Sequence, residues 1–291
     1  MSEKLLLINA DGYGFTAGLN RGIEEAIDHG VVTSISVNSN FEAALELEAL
    51  IARRPDISVG VHLNPVAGKP VSPRDEVPTL VDEAGEFHLD SFTAKLGSGH
   101  IDLGELALEL GRQIERVQGL VPTITHLDGH QDRHVWPKFY DVFLDLAKRY
   151  GIGRMRTHAR RIGMEHRHRT LRTGVYYATH PKRTAVQVYG RYLMRKARRR
   201  GLRMCDRRLS IEASTPRSTE EMLDAWLQLA RSCPTGTNEM VCHPGYVDDE
   251  LRRWARKTLD QRERERLAVT DPRLRAAFDD HGIRLISFHD I

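Results

Sequence analysis

Apolar positions along the chain follow two alternating patterns. Short runs rich in Leu, Ile and Val, such as LLLINA, ISVNS and SVGVHL, are bounded by Gly, Pro and Asn. Between them lie stretches in which apolar residues return every three or four positions, as in GLNRGIEEAIDHG. The first pattern belongs to strands covered on both faces, the second to helices with one buried stripe. Their alternation predicts βαβ units and a parallel sheet rather than an antiparallel sandwich. Strands are expected at residues 4–10, 32–38, 57–63, 123–127, 154–157, 239–242 and 284–287. Helices are expected at 19–29, 41–53, 103–118, 138–150, 219–232 and 258–271, the last followed by another at 271–281. Six or seven strands in this rhythm give an α/β barrel, closed or nearly so, with fewer than eight strands.

Three segments break the rhythm. Residues 66–101, which include VAGKPVSPRDEVPTL, read as a long loop over one end of the barrel. Residues 159–216 form a basic insertion in which 184–200 is spaced as a helix stopping at Gly201. Residues 247–256 are a charged connector. No internal repeat appears, and residues 1–291 read as one domain, since α/β barrels run past about 250 residues as a single unit.

The net charge of +3 conceals an uneven distribution: from Gly153 to Leu209 there are 18 Lys and Arg against two acids, Glu165 and Asp206. Such a segment suits a solvated pair of basic helices, an anionic ligand or membrane surface, or nucleic acid. It matches no nucleic-acid motif and holds few aromatics, which places nucleic acid last. The start, MSEKLLLINADG, is too short in apolar residues for a signal peptide, and no run approaches the roughly 18 apolar residues of a membrane span. A cytoplasmic protein is expected, with the insertion offering peripheral contact at a membrane surface. Cys205, Cys233 and Cys242 lack CxxC pairing, so reduced thiols are expected rather than disulfides or a cysteine zinc site.

The expected strand ends carry the chemistry. Asp11 closes the first, His62 the third, and THLDGHQDRH brings His126, Asp128, His130 and His134 after the fourth; CHPGY brings His243 late in the chain. Parallel strands of a barrel end on one face, where such folds place their active sites. Imidazoles and carboxylates converging there are ligands for a divalent ion. Each feature alone has a plainer explanation: a hydrogen-bonded core histidine, a polar loop, a turn at HPG or at Asp11–Gly12. Four coinciding at matching strand ends favour a site.

INADGYGFTAGLNRGIEEAIDHGVVTS, VGVHLNPVAGKPV, THLDGHQDRH and CHPGYVDD together resemble the YdjC-like carbohydrate deacetylases. The likeness runs from Leu5 to about Val247, is weakest through the basic insertion, and returns in GIRLISF. The resemblance implies a TIM-like (β/α) barrel that binds one divalent ion, Mg or Zn, and hydrolyses the N-acetyl group of an amino sugar. Carried over, His62 and His130 are metal ligands, Asp11 is the base that activates water, and His243 is the acid that protonates the leaving amine. Asp128 and Asn64 are the expected sugar contacts. The expected partner is an N-acetylated carbohydrate, anionic or lipid-linked if the insertion takes part; a homodimer is compatible with this reading.

One departure stands out. The family's first motif has two adjacent acids, and Gly12 replaces the second, a metal ligand. Either two histidines and water hold the ion, or Asp11 turns in as a ligand, or Asp128 or Asp132 compensates, or metal affinity has fallen. Asp132 itself stands where many relatives carry a histidine. The competing reading is a sugar-binding relative weakened in, or without, turnover.

Overall fold

In the computed structural model of the chain, residues 3–158, 181–211, 216–254 and 259–291 are described. Seven strands, β1 (Lys4–Tyr13), β2 (Ser34–Val37), β3 (Ser58–Leu63), β4 (His126–Gly129), β5 (Arg207–Leu209), β6 (Gly236–Cys242) and β7 (Ile283–Ile286), form one curled parallel sheet, a half-barrel flanked by helices. Its order is β4-β3-β2-β1-β6-β5. β6 fills one edge of β1, while the other is shared: β7 pairs with Lys4–Leu7 and β2 with the stretch from Asn9 to Tyr13.

The ten described helices are α1 (Ala17–Asp28), α2 (Leu47–Arg53), α3 (Phe92–Ser98), α4 (Leu103–Gln118), α5 (Pro137–Arg149), α6 (Pro181–Arg199), α7 (Thr219–Ser232), α8 (Asp249–Trp254), α9 (Leu259–Val269) and α10 (Pro272–Asp280). The main core lies between sheet and helices: Leu6, Ile8 and Ala10 of β1 face outward against Ile23, Ala26 and Ile27 of α1. Inside the curve, Leu7, Cys205, Ile286 and Phe288 form a smaller apolar floor. No helix among the described residues is long and apolar enough to cross a membrane.

Several expected boundaries move. β1 continues through Asp11 to Tyr13, with a register shift against β2 between those two residues, so Gly12 is the bulged position, at φ +105°. An extra residue in one strand re-aims its neighbours, and only glycine takes this backbone without strain. β4 begins at His126, later than expected. The expected strand at 154–157 contributes only isolated parallel bridges, Met155 with Leu127 and Arg154 with Arg203. Four backbone hydrogen bonds of 2.9–3.2 Å continue the ring there, Leu127 N–H to Arg154 O, Arg156 N–H to Leu127 O, Met155 N–H to Arg203 O and Arg203 N–H to Gly153 O. The loop at 66–101 contains α3, and the connector at 247–256 contains α8.

The insertion is not wholly an appendage. Residues 159–180 and 212–215 lie outside the described residues, but α6 docks on α5 through the Lys196–Asp141 ion pair and the Tyr140 hydroxyl, which donates to Leu193 O at 2.8 Å, and Arg200 just after α6 pairs with Asp145. It then delivers β5, a strand the sequence pattern did not reveal because RRL is too short and too charged to stand out.

Candidate active site

Alternate residues along a strand share a face, so the sheet projects polar residues into its concave side in layers. Asn9 and Asp11 come from β1, Ser34 and Ser36 from β2, His62 from β3, and His126 and Asp128 from β4. Asn9 Nδ2 donates to Asp11 Oδ1 and to Ser36 Oγ, each at 2.8 Å. Ser36 in turn donates to Asp128 Oδ2 at 2.8 Å. All of these side chains are buried.

At the centre stands Arg156, 1 % exposed. Nη1 donates to Asp11 Oδ2 at 2.8 Å, Nη2 contacts Asp11 Oδ1 and Asp128 Oδ2, and Nε reaches Glu239 Oε1 at 3.3 Å. The other oxygen of Glu239 accepts from Thr157 N–H at 2.8 Å. Burial alone pushes the Asp11 and Asp128 carboxyls up, but the charge of Arg156, joined by His62, outweighs it and holds both below the usual carboxylate range.

Asp11, His62 and Asp128 each bring a potential ligand atom within 4.8 Å of the others. Asp128 is already committed: Oδ1 faces His62 Nδ1 at 2.7 Å and Oδ2 meets Ser36 and Arg156. A carboxylate on one imidazole nitrogen fixes the ring and turns the other nitrogen outward. His62 Nε2 then lies 3.9 Å from Asp11 Oδ2, a gap that ligand bonds of about 2.0–2.2 Å can span. The His130 ring centre is 5.5 Å from that of His62, and burial, His62 and Arg262 push His130 down to about 3, keeping a neutral imidazole. The ligand atoms that lie together among the described residues are thus those of Asp11, His62 and Asp128, and the His130 ring borders them.

His243 follows β6 with 48 % of its side chain exposed, and its Nε2 is 3.8 Å from Asp11 Oδ2. α9 fixes this segment: Glu265 Oε2 accepts from the His243 N–H at 2.8 Å, and Arg262 O accepts from the Gly245 N–H at 3.3 Å. Burial pushes Glu265 up to about 7.

Other expected residues lie elsewhere. His126 is fully buried, stacked on Phe288 at 3.6 Å, and fits only because Gly60 has no side chain to meet its ring. His134 turns away from the strand ends to pack against Phe143 and His158, each ring centre 4.9 Å away. Asp132 does not replace the missing acid, since it pairs with Arg208 at 3.1 Å. Asn64 is fully buried, donating to Asn40 Oδ1 and Ala67 O and accepting from Val66 and Ala67 N–H groups, all at 3.0 Å. The polar atoms of Asp128 and Asn64 are thus spent inside the protein, positioning His62 and pinning the loop after β3.

Burial lowers His126 to about 3 and His134 to about 4, against an ordinary 6.5. The unfolded chain therefore binds more protons across that interval, and stability falls as pH drops below about 6.5. Urea unfolding between pH 7 and pH 4 should show a falling midpoint, and His126→Gln should flatten the slope; an unchanged slope in that variant contradicts the assignment.

Sequence reasoning missed Arg156, Glu239, Arg262 and Glu265. A signal existed for the first two, because each is a charge within an expected strand of a sheet covered on both faces, where a charge needs a partner. For Arg262 and Glu265, within the charged run LDQRERERLAV, nothing distinguishes the inward residues from the exposed ones.

A half-barrel with acids and imidazoles at its strand ends is the setting of a hydrolytic site, and the chain belongs to the YdjC-like protein family, whose model matches residues 5–280. It is 28 % identical over 285 residues to a carbohydrate deacetylase of Thermoanaerobacter pseudethanolicus, covering 98 % of each chain. A carbohydrate deacetylase of Geobacillus stearothermophilus is 30 % identical over 98 % of this chain and 96 % of its own. A chitooligosaccharide deacetylase of Serratia marcescens is 29 % identical over 99 % and 100 %. A crystal structure from Enterococcus faecalis V583, provisionally described as a cellobiose-phosphate cleavage protein, superposes with a TM-score of 0.77 at 28 % identity and 99 % coverage of both chains.

Proposed function

We propose that this protein is a metal-dependent carbohydrate deacetylase that hydrolyses the N-acetyl group of an amino sugar or N-acetylated oligosaccharide. The observation that carries the reading is the position of Asp11 Oδ2, 3.9 Å from His62 Nε2 and 3.8 Å from His243 Nε2. The names of the relatives support the same class of reaction.

His62 and His130, with Asp11 Oδ2 beside them, would hold the ion, Mg or Zn. When bound, it supplies Lewis acidity toward the acetyl carbonyl and lowers the pKa of water. Asp11, kept ionised by Arg156, accepts a proton from the attacking water. A bond forms between the water oxygen and the carbonyl carbon, and the carbon–nitrogen bond breaks as His243 gives its proton to nitrogen. Acetate and a free amine leave. Desolvation, Arg262 and Arg156 lower His243 to about 4 against the opposing charge of Asp11, so the imidazole starts neutral, takes up the proton that Asp11 received from water and passes it to nitrogen, which returns both groups to their starting state. The Arg156 contact makes Asp11 a weak base of fixed orientation, a trade of basicity for geometry.

Gly12 supports the second reading, a sugar-binding relative with weakened turnover. The two separate in one experiment: bound metal by elemental analysis, and acetate release from N-acetylated chitooligosaccharides with Zn, Mg, Co or Mn. The native protein should release acetate. His62→Ala and His130→Ala should each lose bound metal and fall on the order of 100-fold or more in rate. Undiminished acetate release in either variant rejects the metal-hydrolase reading, and none from the native protein favours the second.

A further inference from the structure

α6 carries no acid, and its two sides differ. Gly190, Leu193, Met194 and Ala197 are buried and hold it on the body of the protein. Opposite them, at spacings that share one helical face, stand Val188, Arg191, Tyr192, Arg195 and Arg199, with Arg198 beside them, and all six are exposed. Val188 is 62 % exposed and Tyr192 55 %, apolar surface that folding leaves in water. The nearest acids of α5 do not serve this face, since Asp141 pairs with Lys196 and Asp145 with Arg200 on the side toward α5. Among the described residues the four arginines form no ion pair, so the helix presents uncompensated charge around an apolar patch. The patch also lies close to the mouth: the Tyr189 hydroxyl donates to Val135 O at 2.7 Å, at the end of the turn that begins with His130.

Each class of partner would meet this face differently. A second copy of the chain would set arginines against arginines. Nucleic acid would take the guanidiniums but offers Val188 nothing apolar to bury against. An anionic lipid surface satisfies both: headgroup phosphates receive the arginines, the acyl boundary receives the valine, and a tyrosine ring suits the level between them. We propose that the outward face of α6 docks on an anionic membrane surface, with the helix lying in its plane. This goes beyond the deacetylase reading and does not depend on it. Docking there sets the turn that begins with His130 beside the bilayer.

Sedimentation with vesicles of phosphatidylcholine alone, and of phosphatidylcholine mixed with phosphatidylglycerol, reads the contact directly. At about 0.1 M salt the protein should bind the mixed vesicles about tenfold or more tightly than the neutral ones, and at about 1 M salt that advantage should vanish. Arg195→Gln, Arg198→Gln and Arg199→Gln together should weaken binding on the order of 100-fold. Val188→Ser with Tyr192→Ser should weaken it about tenfold with the charge unchanged. These side chains are exposed, so thermal unfolding of both variants should match that of the native protein. Tyr192→Trp should add fluorescence that shifts to the blue on the mixed vesicles, which places the contact at this face. Equal binding to both kinds of vesicle, binding to neither, or unchanged binding in either multiple variant overturns the proposal. So does tighter binding to a short DNA duplex that Val188→Ser with Tyr192→Ser leaves unaltered, which would make α6 a nucleic-acid face.

Discussion

Replacing Arg156 with Met should lower the unfolding free energy by about 3–5 kcal/mol, the cost of removing one partner from a buried charge network. Met fills much of the volume but leaves Asp11, Asp128 and Glu239 facing one another with no cation among them. The deficit relative to the native protein should shrink as pH falls, because without Arg156 the carboxyls protonate more readily and no longer repel. Glu239→Gln in the same chain should recover part of the loss by removing one of the three charges. Urea unfolding of the native protein, the single variant and the double variant at pH 5 and pH 7 measures all of this. A deficit below about 1 kcal/mol, in the range of an exposed ion pair, would show that Arg156 is not the organising cation. Acetate release should be lost with it, since Asp11 would no longer be held ionised and aimed.

The second large effect is expected from Asp11→Asn, which keeps the shape of the side chain and an acceptor for Arg156 but cannot take a proton. The rate of acetate release at saturating sugar should fall by about 10²–10⁴-fold, the usual contribution of a general base. Sugar binding should stay within a few-fold of native, so the loss appears in kcat rather than in KM. Thermal unfolding of the same sample guards against a trivial cause, because Arg156 loses a charged partner as well. A variant that turns over within threefold of the native protein would exclude Asp11 as the base and return the role to another group at the mouth.

Much of this was legible in the sequence, and particular residues show where legibility ended. The period of apolar positions located six of the seven strands, because a parallel sheet buried on both faces leaves a near-continuous apolar run. Asp11, His62 and His243 stand out as candidates because each lies in or at the end of such a run, and His130 because it directly follows β4. His126 interrupts a run too, yet it is an internal packing residue, and only the partner at Gly60 distinguishes the two cases. Side-chain direction decided Asn64 and Asp128: both sit within the motifs, and both spend their polar atoms inward. Gly12 reads in the sequence as a deleted side chain, and the structure adds that it is the bulged position of β1, at φ +105°. Arg156 and Arg262 come from distant parts of the chain, and both act on His243. Pairings of such long range leave no periodicity to read.

The seam between β4 and β5 has a meaning beyond topology. There the ring is carried by single bridges, where a full ladder would resist opening most. Arg156 belongs to that seam, and its side chain fastens it to β1, β4 and β6 through three carboxylates. Ordinary ladder strength is replaced by a charged clasp whose teeth are also the reacting groups. Pairing at the seam and orientation of Asp11 are thereby linked, because one guanidinium serves both.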